Sequence, residues 1–127
     1  MRRPILAVAA ACAALSAGLA LPALAQAEDF PTTVTIRFVD RPGPDIFRGR
    51  VESPNPKCIE NRAVRLFRVA PGPDSLIDTD RSEDNGSWSI DVEGDPIPGN
   101  YYVKVPARSV GADTCLRGRS ATIPVAG

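Results

Sequence analysis

The chain contains no histidine, and it has only three cysteines, one methionine and one tryptophan among its 127 residues. Without histidine, a serine or cysteine nucleophile lacks its usual general base, and a zinc site lacks its commonest nitrogen ligand. Nothing in the sequence singles out two carboxylates that share a cleft, as glycoside hydrolysis requires. The composition therefore predicts that the protein is not an enzyme and uses no cofactor. The carboxylates that could form such a hydrolytic pair are Asp40, Asp45, Asp91 and Asp95.

Long apolar runs are also absent, except at the N-terminus. Arg2 and Arg3 precede an apolar and small-residue run over 5–21, and two overlapping small-residue cleavage sites end at Ala25 and Ala27. This pattern is typical of a cleaved secretory signal peptide. The alternative is an uncleaved membrane anchor, but the run is short for a bilayer. The sequence predicts a signal peptide over 1–27, a single domain over 28–127 that is released outside the cell, and no membrane span after cleavage.

Charge of one sign is not in excess. The chain has 15 basic and 15 acidic residues, and the loss of Arg2 and Arg3 leaves 13 basic residues against 15 acidic ones. A basic excess is the usual electrostatic signature of proteins that bind nucleic acid or anionic membranes. The composition therefore predicts neither of these as a partner.

Cysteine is scarce, and its placement is informative. Cys12 lies in the predicted signal peptide, which leaves Cys58 and Cys115 alone in an oxidising compartment. An even pair there is most simply a disulfide, and the alternatives are two free thiols or a bridge to another chain. Because Cys58 and Cys115 lie far apart in the sequence, their cross-link would close a long loop and stabilise the domain by about 4 kcal/mol. This is a large share of the free energy of unfolding of a domain this small.

The predicted domain also lacks helical periodicity. Apolar residues alternate with polar ones, and proline, glycine, asparagine or aspartate bounds each run, which predicts antiparallel strands throughout. About seven short strands in a secreted chain of this length indicate an all-β, Greek-key β-sandwich with one disulfide. The predicted strands cover residues 34–39, 47–52, 63–69, 76–79, 87–92, 100–105 and a part of 117–125.

Acidic and amide side chains cluster between the fourth and fifth predicted strands. Asp80 and Asp84 carry the hard oxygen ligands that calcium prefers, but the spacing does not fit an EF-hand loop. Counted from Asp80, the sixth residue is Asn85 rather than glycine, and the twelfth is Asp91 rather than glutamate. Asn85-Gly86 is a strong signal for a tight hairpin turn, because both residue types tolerate a positive φ. The hairpin is favoured, and a calcium site at Asp80 and Asp84 is the alternative.

Three aromatic side chains have the flat apolar faces and polar edges that suit sugar rings. Trp88 and Tyr101 share the parity of Ile90 and Val103, so they are predicted to lie in the core. Tyr102 has the opposite parity. It is therefore predicted to be exposed and is the candidate ligand-binding residue.

The order of these motifs resembles that of carboxypeptidase regulatory-like modules of the transthyretin-like (prealbumin-like) group. The resemblance implies a β-sandwich without catalytic machinery of its own, because hydrolases of the group rely on histidine. Other features resemble small secreted actinobacterial proteins, namely Cys58, Cys115, Arg62 and the closing Ser120-x-Thr122-Ile123. The first resemblance rests on Phe47-x-Gly49-x-Val51, Val64-x-Leu66, Thr79-Asp80, Asp84-Asn85-Gly86-Ser87-Trp88 and Pro98-Gly99-Asn100-Tyr101-Tyr102-Val103.

Taken together, these features predict a secreted, monomeric and non-catalytic β-sandwich module. Its expected role is binding or structural, at the cell surface or in the extracellular space. The expected partner is an extracellular protein or a glycan. The alternative function is that of a carbohydrate-binding or calcium-dependent binding module.

Overall fold

The structure is a computed structural model that describes residues 26–126. Nearly all of the predicted signal peptide, including Cys12, lies outside the described residues, so its assignment remains a prediction. The described part is all β apart from one 3-10 turn at Pro56–Cys58, and it contains the predicted disulfide. The strands are β1 (Asp29–Phe30), β2 (Thr33–Val34), β3 (Arg37–Val39), β4 (Asp45–Glu52), β5 (Ala63–Arg68), β6 (Ser75–Arg81), β7 (Ser87–Val92), β8 (Gly99–Val105), β9 (Arg108–Val110), β10 (Asp113–Cys115), β11 (Gly118–Arg119) and β12 (Ile123–Val125).

The first sheet, called sheet I, has β4 at its centre. Strand β7 pairs with one edge of β4, while β2 and β3 pair with the other edge in a common register. The predicted first strand is therefore present, with a break at 35–36. At the break, the Thr35 hydroxyl accepts from the Arg50 N–H, and the Thr35 carbonyl oxygen lies 1.9 Å from the position that a Cβ atom on Gly49 would occupy. Only glycine at position 49 allows the two strands to approach this closely.

The second sheet, sheet II, has the order β6-β5-β8, and both β11 and β12 pair with the remaining edge of β8. The last predicted strand is thus split in two. Ser120 holds the split in place, because its N–H donates to the carbonyl of Val103 and its hydroxyl accepts from the Val103 N–H. Pro124 lies on an edge strand, as its missing N–H predicts.

Apolar side chains from both sheets form one core between them. Trp88 and Tyr101 are 3% and 2% exposed, which confirms their predicted place in the core. The alternation along β4, β5, β7 and β8 therefore identified the inward faces correctly. The core residues are Val34, Phe47, Val51, Val64, Leu66, Trp88, Ile90, Tyr101, Val103, Val105 and Val125.

A small ribbon of β1, β10 and β9 was not predicted from the sequence. Its strands are two or three residues long and carry little apolar alternation, so they lack the pattern by which strands are recognised. Strand β1 runs parallel to β10, so the expectation of antiparallel pairing throughout is wrong for this pair.

The acidic turn is closed as in a tight hairpin, because the Gly86 N–H donates to the Glu83 carbonyl and the Glu83 N–H donates to the Ser87 carbonyl, but β6 and β7 form no ladder. Strand β6 pairs with β5 and β7 pairs with β4, so the turn carries the chain from one sheet to the other. Gly86 has a φ of 88°, whereas Asn85 does not adopt a positive φ. Gly86 lies against β4, where its carbonyl accepts from the Val51 N–H and a Cβ atom would lie 2.1 Å from the Val51 oxygen. Close approach to β4, rather than pairing of β6 with β7, is what requires glycine here.

The disulfide joins the 3-10 turn to the ribbon. Cys58 and Cys115 are fully buried, with their Cα atoms 5.4 Å apart. The predicted pairing is therefore confirmed.

Arg62 lies beside the disulfide and is only 1% exposed. Its guanidinium group donates to the carbonyl oxygens of Cys58 at 2.7 Å, Pro106 at 2.9 Å and Leu116 at 3.2 Å, and to the hydroxyl of Thr32 at 3.0 Å. Burial, together with the charge of nearby Arg108, lowers the pKa of Arg62. An arginine nevertheless remains charged in proteins, so this side chain is a buried cation that is stabilised by carbonyl dipoles.

Replacement of Arg62 by alanine is expected to destabilise the domain by about 3 kcal/mol, because it leaves the buried Cys58 carbonyl and the partly buried Pro106 and Leu116 carbonyls without this donor. Chemical denaturation of the oxidised protein measures this loss. Arg108→Ala is the matched control, since Arg108 also donates to three carbonyl groups but lies near the surface, where water replaces it. Equal losses in the two variants would contradict the role given to Arg62.

Replacement of both cysteines by alanine is expected to lower the free energy of unfolding by about 4 kcal/mol, because the bridge closes a long loop in the unfolded chain. Denaturant titration of the Cys58→Ala/Cys115→Ala variant measures the difference. A loss below about 1 kcal/mol would show that packing, rather than the cross-link, holds the ribbon in place.

Candidate functional site

Tyr102 lies on the outer face of sheet II, as its parity predicts, but it is only 1% exposed. The prediction of an exposed tyrosine is therefore wrong. Alternation gives the face on which a side chain lies, but it does not show which neighbours cover that face. The side chains that surround Tyr102 determine the chemical character of the outer face of sheet II.

The ring of Tyr102 is covered by another ring and by two cations. Phe67 stacks on it, with ring centroids 5.5 Å apart and an interplanar angle of 14°. The Cζ atom of Arg119 lies 3.9 Å from the Tyr102 ring centroid, and the Nζ atom of Lys104 lies 5.4 Å from the Phe67 centroid and 5.8 Å from that of Tyr102. Each such contact contributes roughly 0.5–2 kcal/mol, so the rings hold both cations in place.

The hydroxyl group of Tyr102 donates to a carboxylate oxygen of Asp74, and the Ala70 N–H donates to the other at 3.1 Å. The Tyr102 hydrogen bond is the main cause that lowers the pKa of Asp74, and the same bond raises the pKa of Tyr102. Asp74 is therefore engaged by Tyr102 and by the backbone.

Three cations face one another across sheet II. Lys104 on β8 lies directly opposite Arg65 on β5 and directly opposite Arg119 on β11. Like charges at directly opposite positions destabilise a sheet. Among residues 26–126 the one ion pair within 4 Å joins Arg41 to Asp91, so no carboxylate pairs with this row. The charge of Asp74 acts on Arg119 and Lys104 without an ion-pair contact, so the row is only partly compensated. A row of this kind favours a ligand that brings further negative charge.

Arg117 lines the same depression as the row, and we call Arg65, Lys104, Arg117 and Arg119 the basic face. These side chains line a shallow depression of about 510 Å³ that contains no carboxylate. The rest of its lining is Phe67, Val105, Pro106 and Gly118.

An apolar strip adjoins the basic face. Leu76 on β6 lies directly opposite Phe67 and is 56% exposed, and Val69, just beyond the end of β5, is 43% exposed. The outer face of sheet II therefore combines cations with aromatic and aliphatic surface.

Arginines also line a groove of about 790 Å³ on sheet I, but carboxylates accompany them there. Asp80 and Glu83 lie in the same lining, and the Arg50 guanidinium donates to the Asn85 carbonyl. Trp88 lies there too, and its indole N–H has no hydrogen-bond partner among the described residues. This surface is mixed in charge, so the basic face is the better candidate for binding an anion. The arginines of the groove are Arg37, Arg48, Arg50 and Arg81.

Asp80 and Asp84, the candidate calcium ligands, lie in different surroundings. The carboxylate of Asp80 accepts from the Ser89 N–H at 2.9 Å, and Asp84 is exposed at the turn. Within 26–126, His, Cys, Asp and Glu side chains form no group of three or more that could hold a metal ion. Asp80 thus has a structural role beside β7.

The structure also brings three of the sequence candidates for a carboxylate pair to one depression, which Glu93 lines as well. Asp40, Asp45 and Asp95 line one depression at an end of the sandwich. A hydrogen bond with Asp45, together with the charges of Asp45 and Asp95, raises the pKa of Asp40. The Arg41 N–H donates to Asp45, so this group is partly satisfied by its own loop.

Comparison with models of known protein families, with curated proteins and with solved structures finds no match for this chain. In the part of the chain that the structure describes, no helix has the length and apolar character needed to cross a bilayer.

Acid should weaken the domain partly through Asp74. Because the pKa of Asp74 is lowered in the folded state, its bond with Tyr102 stabilises the fold above the ordinary aspartate pKa of about 4, and this contribution is lost as the pH falls through the folded value. Tyr102→Phe is therefore expected to lower the melting temperature at pH 7 and to lose less stability than the wild type below pH 4.

Tyr101→Phe is the control, because the Tyr101 hydroxyl donates to the Ile97 carbonyl rather than to a carboxylate. Its effect on the melting temperature should be the same at pH 7 and below pH 4. Parallel acid curves for wild type and Tyr102→Phe would contradict the assignment to Asp74.

Proposed function

We propose that the protein is a secreted, non-catalytic β-sandwich module that binds an anionic ligand through the basic face of sheet II. Secretion follows from the N-terminal sequence, and the buried disulfide is compatible with it. The similarity of the motifs to carboxypeptidase regulatory-like modules supports a binding role, since such modules leave catalysis to other domains.

The observation that carries the proposal is the row Arg65, Lys104 and Arg119, to which no carboxylate of residues 26–126 comes within ion-pair distance. Burial of hydrophobic groups does not require such a row, and stability disfavours it. A ligand that carries negative charge would relieve the repulsion and gain three charge-assisted contacts.

A further support is the rigidity of the surface. Two of the three cations lie against the ring pair Phe67 and Tyr102, and Tyr102 is fixed in turn by Asp74. A preorganised surface loses little side-chain entropy when it binds.

The test is binding of a polyanion, heparin, to the secreted protein by calorimetry at low and high salt. We expect binding that weakens with salt, because exposed charges are screened. The variant Arg65→Gln/Lys104→Gln/Arg119→Gln should bind at least about tenfold more weakly, since each exposed ionic contact contributes roughly 0.5 kcal/mol.

The matched control is Arg37→Gln/Arg48→Gln/Arg50→Gln, which removes the same charge from sheet I and should bind as the wild type does. Arg65→Gln/Arg117→Gln leaves the cations over the rings in place and separates loss of binding from loss of folding. Absence of heparin binding at low salt, or an equal loss in the sheet I variant, would refute the proposal.

A further inference from the structure

The proposed function leaves the class of anion open, and the geometry of the basic face narrows it. We infer that the ligand is a linear acidic polysaccharide with a carboxylate on each successive sugar, lying across the strands of sheet II. This inference rests on the proposed function, and it concerns the same site.

The cations form a line rather than a pocket. Arg65, Lys104 and Arg119 occupy one cross-strand row on β5, β8 and β11, and neighbouring strands lie about 4.8 Å apart. A single small anion is best held by convergent donors, such as a bidentate arginine. A row of evenly spaced charges instead matches a polymer that carries charge at regular intervals.

The surface beside the row suits sugar rings. Phe67 lies at the edge of the depression, and Leu76 and Val69 continue the apolar surface along the sheet. A pyranose ring has an apolar C–H face and a polar rim, so it can lie on such a floor while its carboxylate reaches the cations. A ligand with charge alone would gain nothing from the exposed Leu76.

An acidic polypeptide is the main competing polymer, and the sheet edges do not favour it. Extended peptides commonly bind by adding a strand to an open edge. Among the described residues, β6 is an open edge of sheet II and β7 is an open edge of sheet I. Side chains of Asp78, Asn85 and Asp80 already accept from the Thr79, Ser87 and Ser89 N–H groups on these two strands. The cations lie on the face of sheet II, where a ligand makes no backbone ladder. A peptide bound there would lack the backbone hydrogen bonds of strand addition, whereas a glycan does not depend on such bonds.

The experiment compares three polymers by calorimetry against the secreted protein, namely polygalacturonate, its methyl-esterified neutral form and polyglutamate. We expect polygalacturonate to bind at least tenfold more tightly than polyglutamate, and the neutral polymer not to bind. We expect a tri-galacturonate to bind and the monosaccharide to bind at least tenfold more weakly, because only the longer ligand spans the row.

Leu76→Ser tests the apolar strip without touching a cation. It should weaken polygalacturonate binding and leave polyglutamate binding unchanged. Ile97→Ser is the matched control, since Ile97 is similarly exposed, at 59%, outside the strip; it should have no effect.

The outcomes separate the two proposals. Equal binding of polyglutamate and polygalacturonate would overturn the inference of a polysaccharide and leave the anion-binding function intact. Equal binding of the monosaccharide and the tri-galacturonate would likewise overturn the inference that the ligand is a polymer. Absence of binding by every polyanion, heparin included, would refute the proposed function itself.

Discussion

A buried cation beside a buried disulfide holds the connections of this domain together. Arg62 binds the backbone of Cys58, Pro106 and Leu116, and the disulfide joins Cys58 to Cys115. Carbonyl dipoles, rather than a carboxylate, compensate its charge, so each acceptor depends on this one side chain. Because Leu116 leads directly into β11, the arrangement also fixes where Arg117 and Arg119 emerge beside β8.

The stability that the disulfide and Arg62 provide matters for the basic face. Opposed cations at Arg65, Lys104 and Arg119 destabilise sheet II by about 0.2–1 kcal/mol for each directly opposite pair. The disulfide contributes about 4 kcal/mol, which is larger than this repulsion. A small sandwich that is stapled in this way can therefore keep an unpaired row of cations on one sheet. The same staple holds rigid the surface to which we assign the binding of an anionic polymer.

Prediction from sequence succeeded where a pattern is local and failed where distant segments meet. The strands at 47–52, 63–69, 87–92 and 100–105 follow apolar alternation, which depends only on which face is buried. The ribbon escaped prediction because β9 and β10 have three residues each and little apolar alternation, and because its third strand, β1, comes from the other end of the domain. Asn85-Gly86 predicted a turn correctly, but not that the turn joins two sheets. Strand parity places Tyr102 on the correct face of sheet II but predicts the wrong exposure, because Phe67 and Arg119 cover its ring.

Residue type and spacing were enough to predict the all-β class, the inward faces of the main strands and a disulfide between Cys58 and Cys115. The location of the charges depends instead on the fold, because the net charge of the chain sums Arg65, Lys104 and Arg119 with acids that lie on other surfaces. Pairing β5, β8 and β11 sets those three cations side by side, which sequence separations of 39 and 15 residues conceal. The candidate site is therefore a product of strand pairing and is not visible as a motif in the chain.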